Sequence, residues 1–310
     1  MISFKDILKH LPFIGQKSVG IALGSGAARG LAHLGILDVL MEAGVEIEFV
    51  SGTSIGAFVG AFFCAGKIDE LVRFAKNLTS WESLKFADFM IPKNGLIEGK
   101  KIEKFMRDHL GDRRIQDLDI PFACVAADYY TGAEVILNKG DLVDAVRASI
   151  SIPGIFKPVP VNGLLLVDGG VVNPVPVEVV RGLGADYIIA VDISPSIANM
   201  TISKDVDNFR QEDMAALSKF RSDGRNLEHS PNIFEVIMGS ISIMEALVNT
   251  MRLKSEKPDI IIKPDVFDLG LFEFYKYKLG VSRGEEAAKG VLNKIDRFVK
   301  RRERALIKAS

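Results

Sequence analysis

The sequence is poor in the residues that build metal sites, disulfide frames and proton shuttles. Among 310 residues it holds two cysteines and four histidines. Cys64 and Cys124 each lie inside an apolar run, Ala61-Phe62-Phe63-Cys64-Ala65 and Phe122-Ala123-Cys124-Val125-Ala126. Both read as small buried hydrophobes, so neither a disulfide scaffold nor a Cys/His metal site is expected, and no cofactor is required. An excess of one charge is missing too. The 39 Lys and Arg nearly match the 40 Asp and Glu, and a net charge of -1 leaves no global field to recruit nucleic acid. The locally basic stretch from Arg297 to Lys308 is read as a solvated helix face. A secretory leader is not expected, because Met1 to Lys17 scatters Lys5, Asp6, Lys9 and His10 through its apolar residues. A reducing, cytoplasmic setting is therefore the expectation. Phe49 to Gly66 carries no charge, but its glycines and hydroxyls divide it into a strand and a helix, and a helix apolar on all sides belongs at the centre of a fold.

What is present is an ordinary globular composition, 48% hydrophobic and 25% charged, enough to bury a sizeable core. Apolar runs and helical periodicities alternate along the chain. Strands are predicted at Ser18 to Leu23, Ile47 to Ser51, Phe122 to Ala127, Glu134 to Leu137, Leu164 to Val167, Tyr187 to Val191 and Asp259 to Ile262. Helices are predicted at Arg29 to Ala43, Ser54 to Ala65, Lys100 to His109, Leu142 to Ser149, Pro176 to Leu183, Phe234 to Leu253 and Ser282 to Lys300. This order implies an α/β fold with a mostly parallel central sheet. Residues 18–310 form the expected catalytic domain, and Ser194 to Asn232, which lacks periodicity, reads as a mobile insertion. In the segment 1–17, Phe4, Ile7, Leu8 and Leu11 share one helical face. That face suits either peripheral membrane contact or packing on the protein itself.

Gly52-Thr53-Ser54-Ile55-Gly56 carries the chemistry. A serine between two glycines, at the junction of an apolar strand and an apolar helix, is the nucleophile-elbow pattern. The glycines at 52 and 56 admit the crossing backbone, and the Ser54 hydroxyl stands beside the first N–H groups of a helix, where developing negative charge is favoured. Gly24-Ser25-Gly26-Ala27-Ala28-Arg29-Gly30 follows the first strand and opens the first helix, so its amides can converge on an anion. A dinucleotide site would need an acidic residue where the second strand ends; Val50-Ser51-Gly52 stands there, which favours an oxyanion hole instead.

A serine nucleophile needs a base. His33 falls on the first helix, and His109 and His229 lack a turn that would aim them. Asp168 is the better candidate, at the end of the apolar run Leu164 to Val167 and followed by Gly169 and Gly170, although an Asp-Gly-Gly can also simply cap a turn.

The three motifs Gly-Ser-Gly-Ala-Ala-Arg-Gly, Gly-Thr-Ser-Ile-Gly and Asp-Gly-Gly, in this order and spacing, resemble the patatin-like phospholipases, including bacterial members related to the catalytic domain of neuropathy target esterase. The likeness runs from about Ser18 to Ile193 and takes in Asn94-Gly95-Leu96, Ala148 to Phe156 and Pro258 to Pro264. It implies a three-layer α/β/α fold and a Ser-Asp dyad, with Ser54 attacking an acyl ester of a phospholipid or lysophospholipid and Asp168 accepting its proton. The oxyanion hole would fall to Gly26, Ala27, Ala28 and Arg29, with Arg29 at the family's basic position. Ser25 and Ala27 replace two glycines of the plant-type loop, and alanine tolerates such a loop when its φ is negative. Phe58, Phe62, Phe63, Ile150, Ile152 and Phe156 are candidates to line an acyl pocket, or to be plain core. A catalytically silent acyl-lipid sensor on the same fold is the alternative.

Overall fold

The computed structural model describes residues 18–78, 97–194 and 232–309, with the side chains of Phe234 and 296–309 left undescribed. The segment 1–17, the motif Asn94-Gly95-Leu96, His229 and almost all of the predicted insertion lie outside the described residues.

In chain order the elements are β1 (Val19–Leu23), α1 (Leu31–Glu42), β2 (Phe49–Thr53), α2 (Ile55–Cys64), α3 (Ile68–Asn77), α4 (Lys100–Leu110), β3 (Phe122–Asp128), β4 (Glu134–Leu137), α5 (Leu142–Ser149), β5 (Val159–Val161), β6 (Leu164–Asp168), α6 (Val177–Leu183), β7 (Tyr187–Val191), α7 (Ile233–Glu256), β8 (Ile260–Ile262) and α8 (Tyr277–Ala309). They form one mixed sheet in the order β5-β6-β3-β2-β1-β7-β8, with β4 also paired to β3. The strands β3, β2, β1, β7 and β8 are parallel, and β4, β5 and β6 add the antiparallel pairs. The three-layer α/β/α architecture follows from how the strands alternate. Val19, Ile21 and Leu23 of β1 and Tyr187, Ile189 and Val191 of β7 join a large core with α1, α2, α5 and α8. Their neighbours Ala22, Ile188 and Ala190 point the other way and pack with Val177 and Val180 of α6.

β3 explains how two distant segments meet. Its residues Phe122 to Val125 pair with β2, and its residues Ala126 to Asp128 pair with β6, while β4 pairs along residues 124–127. Since β4 overlaps both partners, β2 and β6 must share the opposite edge of β3. Running in opposite directions along that edge, they meet end to end: Thr53 pairs with Val125 and Asp168 with the next residue, Ala126. The elbow and the aspartate, 114 residues apart in sequence, become neighbours by register alone.

Most predicted elements shift by only one or two residues at their ends. β5 and α3 are additional, and α8 begins at Tyr277, five residues before the predicted start. Gly280 and Gly284 depress helix propensity in that first stretch, but they face α1, where an added Cβ would meet Leu31 Cβ at 2.6 Å and the Ala32 carbonyl. Close backbone approach between α1 and α8 holds these turns in the helix.

Candidate active site

β2 sends Ser51 and Thr53 to the α6 face, where their hydroxyls donate to the carbonyls of Pro176 and Asn173, both at 2.8 Å. The strand that leads to Ser54 is thereby tied to the segment that follows Asp168. Gly52 faces α2, where a Cβ would stand 2.5 Å from the Ala57 nitrogen, and a Cβ on Gly56 would run into the Leu23 carbonyl. Both glycines are required by close approach. Ser54 has φ 55° and ψ -122°, a conformation that serine rarely adopts and that the surrounding bonds enforce. Its N–H donates to Ser149 Oγ at 3.0 Å, and Ser149 Oγ in turn donates to the Val125 carbonyl at 2.6 Å. The Ser54 hydroxyl donates to Asp168 Oδ2 at 2.5 Å.

Asp168 is almost fully buried, and its other oxygen accepts the Gly170 N–H at 2.8 Å. Burial pushes its carboxyl up to about 7, against the opposing pull of the hydrogen bonds from Ser54 and Gly170. A carboxylate poised there can take a hydroxyl proton and return it near neutral pH. Gly169 is needed because a Cβ would strike the Val125 carbonyl.

The Gly-rich loop runs beside these groups. Gly24 N–H donates to the Val191 carbonyl and Ser25 N–H to Pro174, which fixes the entry of the loop. Gly26 has φ 156° and Ala27 φ 51°. The condition of a negative φ at Ala27 is not met; the alanine is held in the left-handed region, a strained state for a residue with a Cβ. Ala28 N–H donates to Leu271 and Arg29 N–H to Gly26. Among the described residues, the N–H groups of Gly26 and Ala27 have no acceptor, which leaves these two amides available to an anion. Arg29 lies half-buried and its Nε donates to the Leu269 carbonyl at 3.1 Å, so it anchors the loop to residues 269–271. Gly30 packs against the Ile55 side chain.

An apolar cavity opens beside Ser54, whose hydroxyl is the sole polar side-chain group among the described residues that line it. Phe58, Ile150, Ile152 and Phe156 line it as expected, joined by Leu31, Leu34, Leu71, Phe74 and Phe274, which sequence reasoning did not assign. Phe62 and Phe63 do not line it; Phe62 is fully buried against Phe58 and Phe105.

The histidines lie elsewhere. His33 is buried, and its Nε2 lies 2.8 Å from the Gly24 carbonyl. A carbonyl only accepts, so Nε2 carries the proton, and burial lowers the ring to about 4 and keeps it neutral. His33 is thus a support for the Gly-rich loop. His109 bonds the Phe105 carbonyl through Nδ1 and packs against the Phe105 ring, tilted, with centroids 4.3 Å apart. Among the described residues no histidine bonds Ser54. Cys64 and Cys124 are buried free thiols, both pushed up by burial. Among the described residues no cluster of His, Cys, Asp or Glu could hold a metal ion.

Sequence reasoning missed Glu245 of α7. Its Oε2 accepts from Ser25 Oγ at 3.4 Å, and its Oε1 occupies the space that a Cβ on Gly170 would need. Burial and the neighbouring Asp168 charge raise its carboxyl to about 8, opposed by Ser25 and Arg29.

The family model for patatin-like phospholipases matches residues 21–181, more than half of the chain, and spans the Gly-rich loop, Ser54 and Asp168. This chain belongs to the patatin-like phospholipase family. An uncharacterised NTE family protein of Mycobacterium tuberculosis is 42% identical over 180 residues, which cover 58% of this chain and 50% of that protein. The neuropathy target esterase sws of Drosophila melanogaster is 38% identical over 195 residues, 61% of this chain and 14% of the relative. Lysophospholipase NTE1 of Candida glabrata is 30% identical over 296 residues, 90% of this chain and 16% of the relative. The chain spans about half the length, or less, of these relatives. Among solved structures, VipD from Legionella pneumophila aligns with a TM-score of 0.48 and 14% identity, covering 90% of this chain and 67% of that one.

Proposed function

We propose that this patatin-like chain is a serine acyl hydrolase that cleaves lipid acyl esters, phospholipids or lysophospholipids, through a Ser54-Asp168 dyad. The observation that carries the reading is the 2.5 Å hydrogen bond from Ser54 Oγ to a buried carboxylate, beside a cavity whose described lining is otherwise apolar in its side chains. Asp168 takes the Ser54 proton as Oγ attacks the acyl carbon. The oxyanion forms against the Gly26 and Ala27 amides, and the departing alcohol takes the proton from Asp168. Water then attacks the acyl-enzyme, Asp168 accepts a proton from it, and Ser54 recovers its hydrogen as the fatty acid leaves. Ala28 and Arg29 serve by holding the loop, since their amides are already bonded. The apolar lining of the cavity suits an acyl chain.

The test is hydrolysis of chromogenic esters of short and long acyl chains, with lysophospholipid as the lipid substrate. Release should favour the longer chain and vanish in Ser54→Ala; a wild-type chain that hydrolyses none of these esters removes the reading. The Phe4 to Phe13 segment is proposed to hold the enzyme against a lipid surface in the cytoplasm. Deleting Met1 to Gly15 should then weaken sedimentation with liposomes while sparing a soluble ester, and equal sedimentation would end that part.

A further inference from the structure

Glu245 has no part in the dyad chemistry, yet its carboxyl is placed between the two loops that carry it. One oxygen accepts from Ser25, next to the free amides of Gly26 and Ala27, and the other packs on Gly170, whose N–H holds Asp168 Oδ1. We infer that Glu245 is a positioning residue of the hydrolytic site, which as a neutral carboxylic acid ties the Gly-rich loop to the Asp168 turn and disables the site when it ionises. The inference rests on the proposed hydrolase reading.

The charged groups that act on Glu245 are Asp168, from the end of β6, and Arg29, from the turn before α1. Asp168 must be ionised to accept the Ser54 proton. A second negative charge beside it is opposed both by burial and by repulsion, so the two acids lose their protons in sequence, Asp168 first. As the tetrahedral intermediate forms, Asp168 becomes neutral and the negative charge moves to the oxygen facing Gly26 and Ala27. A neutral Glu245 adds no charge against it, whereas an ionised one places a like charge beside the loop that must stabilise it. An ionised Glu245 would also make Asp168 a stronger base. The intermediate shares that gain, so the balance is set by where the Glu245 charge sits, on Ser25 and next to the Gly26 amide that faces the oxyanion, and the net effect inferred is inhibition.

The experiment is the pH profile of kcat/KM on a soluble ester for the wild type, Glu245→Gln and Glu245→Ala, with folding checked by thermal melting. The wild type should fall below about pH 7, where Asp168 is protonated, and again above about pH 8, where Glu245 ionises. Glutamine keeps the shape and neutrality of the acid. Glu245→Gln should match the wild type near the optimum, keep the acid limb, and be about tenfold faster than wild type one pH unit above the Glu245 midpoint. Glu245→Ala should lose activity at every pH because the loop loses its tie. Infrared difference spectra on the substrate-free protein give a second readout: a protonated carboxyl band should titrate out near pH 8 in the wild type and be absent in Glu245→Gln. A folded Glu245→Gln variant that keeps the alkaline limb, or that keeps the carboxyl band, overturns the inference. Failure of the wild type to hydrolyse any ester overturns the hydrolase reading instead, and the infrared titration still decides the protonation of Glu245.

Discussion

Two apolar helices flank the site, and they are built on opposite plans. In α2 (Ile55–Cys64) the apolar residues face inward on every side, and its large side chains fill the main core. In α7 (Ile233–Glu256) most of the large ones face outward, while Met238, Ile241 and Ala246 are buried, the first two against Ile155 and Phe156. Ile233, Val236, Ile237, Ile243, Met244, Leu247 and Met251 form one exposed stripe, reaching 76% exposure at Ile233, while the inward face carries Glu245, Asn249 and Arg252. Those three side chains bond Ser25, Asp192 and Glu134. Glu134 also accepts from Asn173, so Arg252 is linked to the turn that follows Asp168. By length and composition α7 could cross a membrane, but this polar face is docked on the loops of the site. The contrast shows where each helix does its work. α2 acts through its end, by presenting Ser54 and its first amides, whereas α7 acts through its side, by tying two loops and the start of β4 together.

The contrast can be broken at several points. The largest effect should come at the end of α2. Asp168→Asn removes the proposed acceptor of the Ser54 proton and should lower kcat by about a thousandfold or more. The same variant should melt at a higher temperature at pH 8. The folded carboxyl titrates near 7 and the unfolded one near the ordinary aspartate value, so raising the pH between these values favours the unfolded chain, and asparagine removes that penalty. An unchanged or lower melting point would show that Asp168 is not held in a desolvated site. Within α2, Phe62→Ala opens a hole in the core and should cost about 3–5 kcal/mol of unfolding free energy in denaturant melts.

On the inward face of α7, Asn249→Ala strips a hydrogen bond from the buried Asp192 carboxylate. A loss of about 1–3 kcal/mol is expected in the same melts, accompanied by a lower kcat as the loops loosen. On its outward face, Leu247→Ser and Met251→Gln should change stability by less than about 0.5 kcal/mol. A cost there as large as that of Phe62→Ala would mean that the stripe is covered, and the contrast between the two helices would fall.

The two plans also explain what was legible in the sequence. The strand order of chemistry was readable because it is local: the elbow needs Gly52 and Gly56 within five residues, and the Asp168 turn needs its two glycines beside it. A fully buried α2 was readable from its lack of charge. The Ser54-Asp168 contact itself depends on β2 and β6 sharing one edge of β3, which no local pattern announces. Glu245 was missed because the search for a base looked at histidines and at strand ends, where catalytic groups gather, not at the middle of an apolar helix. A signal was present: 245, 249 and 252 follow helical spacing and form a polar stripe in a helix whose other faces are apolar. Which of the two stripes faced the protein could not be read, since the apolar one would ordinarily be placed inside. The left-handed Ala27 was likewise invisible, because it follows from bonds made by Gly24, Ser25 and Ala28 to residues far away in the chain.

The most direct measurement is active-site labelling with a fluorophosphonate probe, with the modified residue located by mass spectrometry, in the wild type and in Ser54→Ala. In the proposed mechanism, activation requires the strained turn at Ser54 together with the Asp168 carboxylate. The wild type should carry one adduct, on Ser54, and lose ester hydrolysis as the adduct forms, while Ser54→Ala should remain folded, unlabelled and inactive. An adduct on another residue, or hydrolysis that survives in Ser54→Ala, would contradict the account.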